Sequence, residues 1–118
     1  MFPGIDIVDI ERFRKACERT PKIRERLFTG RELTDLESKG IASWAARFAG
    51  KEAVLKTLGT GLSGLSWHDI EILSENTGEP FVYLSEKAQG LARERGGTQV
   101  RLSLSHEREY AVGMAILS

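Results

Sequence analysis

The sequence predicts an α+β fold, with a mainly antiparallel sheet packed on a long central helix in one domain spanning residues 1–118. Three observations predict it. Short apolar runs of strand length lie at both ends of the chain and in its second half. Those in the second half come as hairpin pairs, around Asn76-Thr77-Gly78 and around His106 to Glu109, rather than in regular alternation with helices. The stretch Ser43 to Leu58, in contrast, repeats its apolar residues at about 100° per residue and ends at Gly59.

The elements follow in order. Gly4 to Ile10 alternates as a strand, with Ile5 and Ile7 on one face and Asp6, Val8 and Ile10 on the other. A basic helix from about Asp9 to Thr20 is stopped by Pro21. Thr29 and Glu32 have capping-box spacing, which starts a helix running to about Lys39. The central helix follows, then a glycine-rich loop from Gly59 to Ser66 and strands at His68 to Leu73 and Phe81 to Leu84. Ser85 caps a helix that ends at Gly96-Gly97, and strands Val100 to Ser105 and Tyr110 to Leu117 finish the chain. The predicted order is β-α-α-α-β-β-α-β-β.

Composition bounds the function. With 41% apolar and 29% charged residues, the chain is an ordinary globular protein large enough for one core. Seventeen basic residues balance seventeen acidic ones, so bulk charge favours neither nucleic acid nor an anionic membrane as a partner. The single cysteine, Cys17, excludes an internal disulfide and any multi-cysteine metal site. Met1 to Gly4 lacks the basic and apolar regions of a signal peptide, and no apolar run approaches the ~20 residues that span a bilayer. The expected setting is soluble and cytoplasmic.

Four features could carry chemistry. Asp6 sits in an apolar strand, where a carboxylate needs a partner: a cation, an arginine, or backbone donors at a helix start. On the central helix Trp44, Phe48, Val54, Leu55 and Leu58 gather on one side, and Ala45, Ala46, Ala49 and Ala53 on another. A helix apolar on two sides is largely buried, yet Glu52 and Lys56 lie between those sides and Arg47 and Lys51 at the edge of the larger one. Glu52 and Lys56 read either as a helix-stabilising i, i+4 pair or as functional charges. The loop Gly59-Thr60-Gly61-Leu62-Ser63-Gly64 could offer backbone N–H groups to phosphate or be a mobile connection; it is not a P-loop, since no Gly-Lys-Ser/Thr follows. His106 lies near a turn and His68 at a strand start, and two distant histidines make neither a catalytic triad nor a zinc site. Two carboxylates, several cations and a polar loop suit magnesium bridging protein and diphosphate oxygens.

These residues resemble a known family. Gly4-Ile5-Asp6-Ile7-Val8 is similar to the opening motif of the holo-acyl-carrier-protein synthases. Trp44 to Lys56, read as WAARFAGKEAVLK, resembles the long signature of the phosphopantetheinyl transferase superfamily, continued by Leu58-Gly59-Thr60-Gly61. Ser103-Leu104-Ser105-His106-Glu107 with Tyr110-Ala111 is similar to the synthases' C-terminal motif. Gly50 stands where alanine is more usual.

The resemblance implies an enzyme that moves 4′-phosphopantetheine from coenzyme A to a serine of an acyl carrier protein for fatty-acid synthesis. It implies Asp6 and Glu52 as ligands of Mg2+, and Lys56 as the catalytic cation nearest the diphosphate. The proton acceptor is either Glu52 itself or a water on the metal. Arg47, Lys51, Gly59, Thr60, Gly61 and His106 correspond to positions that contact coenzyme A. Sites lie between subunits of a homotrimer. The basic cluster Arg12, Arg14, Lys15, Arg19, Lys22 and Arg24 reads as either a solvated face or, with an acidic carrier protein, a docking surface. Phe13 and Leu27 or Phe28 are its expected apolar centre. The rival readings are a magnesium-dependent nucleotide or diphosphate hydrolase and a non-catalytic coenzyme A or carrier-binding module. Neither accounts for the long central signature.

Overall fold

A computed structural model describes residues 1–118. The elements are β1 (Phe2–Asp9), α1 (Ile10–Arg19), α2 (Ile23–Leu27), α3 (Gly30–Leu36), α4 (Ile41–Leu58), β2 (Ile70–Ser74), β3 (Pro80–Leu84), α5 (Glu86–Glu94), β4 (Val100–Glu107) and β5 (Tyr110–Leu117). The strands form two antiparallel sheets, a three-stranded one in the order β1-β5-β4 and a β2-β3 hairpin. The expected α+β class holds, but the sheet is divided in two.

Local chemistry explains most boundaries. Asp9 accepts a hydrogen bond from the Arg12 N–H at 3.0 Å and starts α1. The Thr29–Glu32 capping box is fully formed at the start of α3. Ser85 caps α5. α4 ends where Gly59 adopts φ +76°, and the Arg95 guanidinium sits where a Cβ at Gly59 would go. Two elements depart from expectation. α2 is an additional short helix after Pro21, too brief to show a helical period. His68 lies not in a strand but in a 3-10 turn, Trp67–Asp69, closed by a reciprocal Ser66–Asp69 capping box.

α4 is the axis of the molecule, with twelve of its eighteen residues buried. Its alanine side receives the three-stranded sheet. Cβ atoms at Gly4 and Gly113 would lie 2.1 Å from the Ala53 carbonyl oxygen and 2.6 Å from the Ala49 carbonyl, so only glycine lets β1 and β5 rest on the helix backbone. At Gly50 a Cβ would meet only the tip of the Leu104 side chain, at 2.7 Å, which can shift. The large apolar side packs with Phe13, Phe28 and Trp67, the Phe48 ring lying 5.6 Å from Phe13 and 5.3 Å from Trp67. No helix is long and apolar enough to cross a membrane.

The outer face of the three-stranded sheet is apolar and uncovered. Ile5 and Ile7 are 61% and 63% exposed. Ile5 pairs with Met114 and Asp9 with Tyr110, both partners on β5 also exposed.

Candidate active site

Asp6 emerges from β1 on the face turned toward α4, as the alternation requires. There it meets two residues one turn apart on the helix. Lys56 Nζ donates to Asp6 Oδ1 at 3.2 Å and to the Ile5 carbonyl at 2.8 Å. Glu52 is half-buried. Burial pushes its carboxyl above the ordinary 4.5, the negative charge of Asp6 pushes it further, and Lys56 only partly opposes them. Two carboxyl groups therefore stand close enough to repel, and neither is bonded to an arginine. The glycine loop begins directly beyond this cluster, and Gly59, Thr60 and Gly61 are exposed.

This donor set fits magnesium. Two neighbouring carboxylates whose like charges repel gain from a shared divalent cation. Asp6 and Glu52 would hold such an ion, and no third acidic, histidine or cysteine side chain joins them.

Arg47 and His106 meet elsewhere. They line a shallow pocket of about 160 Å³ with Lys39, Ser43, Ser74 and Ser105. Arg47 is buried; it donates to Asp35 Oδ2 at 3.0 Å, to the Ile72 carbonyl at 2.6 Å and to Ser74 Oγ at 3.1 Å. Burial pushes Asp35 up, but hydrogen bonds from the Ser74 N–H and Arg47 outweigh it and hold the carboxyl below its ordinary value. Arg47 Nε has no partner, and an unsatisfied buried donor is uncommon. Sequence reasoning missed Lys39 and Ser43; their positions just before the signature were the available signal. Clefts of about 310 and 320 Å³ beside β3 and β4 contain none of these groups, whereas Ser105 and His106 also line one of about 390 Å³ and Asp35 and Ser74 one of about 420 Å³.

Lys51 is a correction. Its side chain is fully buried, and Nζ bonds Glu32 Oε1 at 2.5 Å. Glu32 also accepts from the Thr29 and Ile72 N–H groups, both at 2.9 Å. Lys51 thus ties α4 to α3 and β2, and is closed off from any ligand. Burial pushes its ammonium below the ordinary 10.5, and attraction to Glu32 offsets this in part.

The basic surface also needs correcting. Phe28 is fully buried and Phe13 and Leu27 nearly so, which removes the expected apolar centre. Phe28 instead packs edge-on against Trp44, with ring centroids 5.4 Å apart. Arg14 is held by Glu11 and Glu18 on its own helix, and Arg24 stacks on Trp44 at 4.4 Å. Arg12, Lys15 and Arg19 of α1 remain exposed, as do Lys22 and Arg26.

The 4′-phosphopantetheinyl transferase superfamily model matches residues 3–115, and the chain belongs to that family. Its relatives are narrower in kind. The chain is 44% identical over 115 residues to the holo-[acyl-carrier-protein] synthase of Alkaliphilus metalliredigens, covering 96% of this chain and 94% of the relative. It is 48% identical over 116 residues to that of Desulforudis audaxviator, covering 96% and 88%. Among solved structures, the Helicobacter pylori holo-[acyl-carrier-protein] synthase in complex with coenzyme A superposes with a TM-score of 0.87 at 31% identity, over 98% of this chain and 99% of that one. The Neisseria meningitidis synthase gives 0.89 at 27% identity, over 99% and 97%.

Proposed function

We propose that this protein transfers 4′-phosphopantetheine from coenzyme A to the serine hydroxyl of an apo-acyl carrier protein, releasing adenosine 3′,5′-bisphosphate. The observation that carries this reading is the convergence of Asp6, Glu52 and Lys56 beside the glycine loop, within a chain that belongs to the transferase family. That the related Helicobacter pylori enzyme binds coenzyme A supports the substrate.

The serine oxygen forms a new bond to the phosphorus next to pantetheine. The bond from that phosphorus to the oxygen bridging to the adenosine-side phosphate breaks, and its electron pair leaves with the bisphosphate. Lys56 Nζ, exposed at the rim, offsets the charge that develops on that leaving oxygen. The serine proton passes to the Glu52 carboxylate or to a neighbouring water. Asp6 and Glu52 would hold Mg2+, which when bound supplies Lewis-acid stabilisation of the diphosphate.

The second pocket fits the rest of the substrate. Lys39, Arg47 and His106 present three cationic or hydrogen-bonding groups suited to a phosphate and a nucleoside. Arg47 lies about 180° around α4 from Lys56 and about 13 Å along it. One coenzyme A therefore meets the acid cluster of one subunit and the Arg47 pocket of another more readily than both in the same subunit. The bare Ile5, Ile7, Met114 and Tyr110 face supplies an apolar surface for that association, consistent with a homotrimer. The exposed cations Arg12, Lys15, Arg19, Lys22 and Arg26 would steer the acidic carrier. The same reading puts the enzyme in the cytoplasm, in fatty-acid synthesis.

Mass spectrometry of an apo-carrier protein incubated with this protein, coenzyme A and magnesium tests the proposal. The expected result is a gain of one phosphopantetheine, abolished by EDTA or by Asp6→Asn and restored by magnesium only in the wild type. Phosphate release without any carrier would instead indicate a hydrolase.

A further inference from the structure

We infer that His68 is a positioning residue that holds the basic segment Lys22–Arg26 in register with the loop that follows α4. The role rests on the transfer reaction proposed above. α2 is only five residues long and has no side-chain cap at its start. Its last carbonyls lack partners inside the helix, apart from Arg24, whose carbonyl accepts from the Phe28 N–H at 2.9 Å. The Glu25 carbonyl finds its partner 43 residues away, in His68 Nε2 at 2.8 Å. A carbonyl oxygen only accepts, so Nε2 carries the hydrogen and the imidazole is the donor. This is the one side-chain hydrogen bond made to α2.

The donor stands on a rigid support. The Trp67–Asp69 turn is closed by the Ser66 and Asp69 bonds, and the Trp67 ring packs 5.3 Å from Phe48 on α4. The glycine loop ends at the same turn. His68 thus joins two segments with different partners: α2, whose Arg26 faces solvent beside α1 together with the preceding Lys22, and the loop that opens beyond the acid cluster. Neither Asp6, Glu52 nor Lys56 depends on this bond. Leu27, Phe28 and the Arg24–Trp44 stack still hold α2 on the core, so loss of the bond loosens its orientation while leaving the catalytic cluster in place; carrier docking should suffer and coenzyme A binding should not.

Steady-state kinetics of the full-length protein with apo-carrier protein and coenzyme A varied separately test this, alongside hydrogen exchange. His68→Ala is expected to raise the KM for carrier about fivefold to tenfold, the scale of one hydrogen bond. The kcat and the KM for coenzyme A should stay within about twofold, and amides of Ile23–Phe28 should exchange faster. His68→Gln, whose amide N–H can reach the same carbonyl, should restore most of the carrier KM. An unchanged carrier KM in His68→Ala, an equal rise in the KM for coenzyme A, or no rescue by glutamine overturns the role of His68. Absence of transfer by the wild type in the same assay overturns the reaction itself, and the two failures are thereby distinguished.

Discussion

Replacing Lys51 with methionine separates a ligand-binding lysine from a structural one. The substitution keeps the length of the stem and removes the ammonium, so little cavity is created. What remains is Glu32, fully buried, with Oε1 still accepting from the Thr29 N–H and Oε2 from the Ile72 N–H but with no counter-charge. Breaking a buried pair by deleting one partner costs about 3–5 kcal/mol. At ~2.1 cal/mol/K of unfolding entropy per residue over 118 residues, that corresponds to a fall in Tm of about 12–20 °C. Urea unfolding followed by fluorescence of Trp44 and Trp67, at fixed protein concentration, measures it. The double variant Glu32→Gln, Lys51→Met removes both charges and should recover at least ~2 kcal/mol, a coupling that independent sites do not show. A Lys51→Met protein within about 0.5 kcal/mol of wild type but with weakened coenzyme A affinity would refute the structural assignment and return Lys51 to the ligand.

Three further outcomes are expected. Glu52 has a folded-state pKa raised above 4.5, so the folded protein binds its proton more tightly and stability falls as pH rises through that range; Glu52→Gln should raise the metal-free Tm at neutral pH, lose that advantage below about pH 4.5, and abolish transfer. Lys56→Ala should cut kcat by about 10²-fold or more, yet lower the unfolding free energy measured in urea by less than ~1 kcal/mol, because the Lys56 side chain is 53% exposed and its pair with Asp6 is worth little to folding. Gly113→Ala places a Cβ against the α4 backbone at Ala49 and should cost about 1–3 kcal/mol in urea unfolding; a neutral result would mean that β5 does not rest on the helix as described.

Readable and unreadable features divide along sequence distance. The capping box at Thr29 and Glu32, the Ser85 cap and the Gly59 stop were legible because each is a contact among near neighbours. The small-residue side of α4 was legible because its period is helical, and it correctly implied a backbone lying close. α2 escaped notice, since five residues show no period. The resemblance to a transferase signature identified the Asp6, Glu52 and Lys56 group, and the structure brings those three together. For Lys51 the same reasoning misled, and Phe28, expected beside the basic cluster only because it is apolar and near in sequence, lies in the core. A signature records which residue types recur, and a buried ion pair recurs as faithfully as a substrate contact.

By itself, the sequence determined the α+β class, the positions of most elements and the family to which the chain belongs, because these follow from periodicity, local caps and a long motif. Only the tertiary structure decided that Glu32 neutralises Lys51 across 19 residues, that Phe28 lies in the core, and that Arg47 and His106 share one pocket while Asp6, Glu52 and Lys56 share another. The physical reason is that charge pairing and burial depend on which surfaces pack together. Residues far apart in the chain acquire their partners only when α4 is enclosed by α3, the hairpin and the three-stranded sheet.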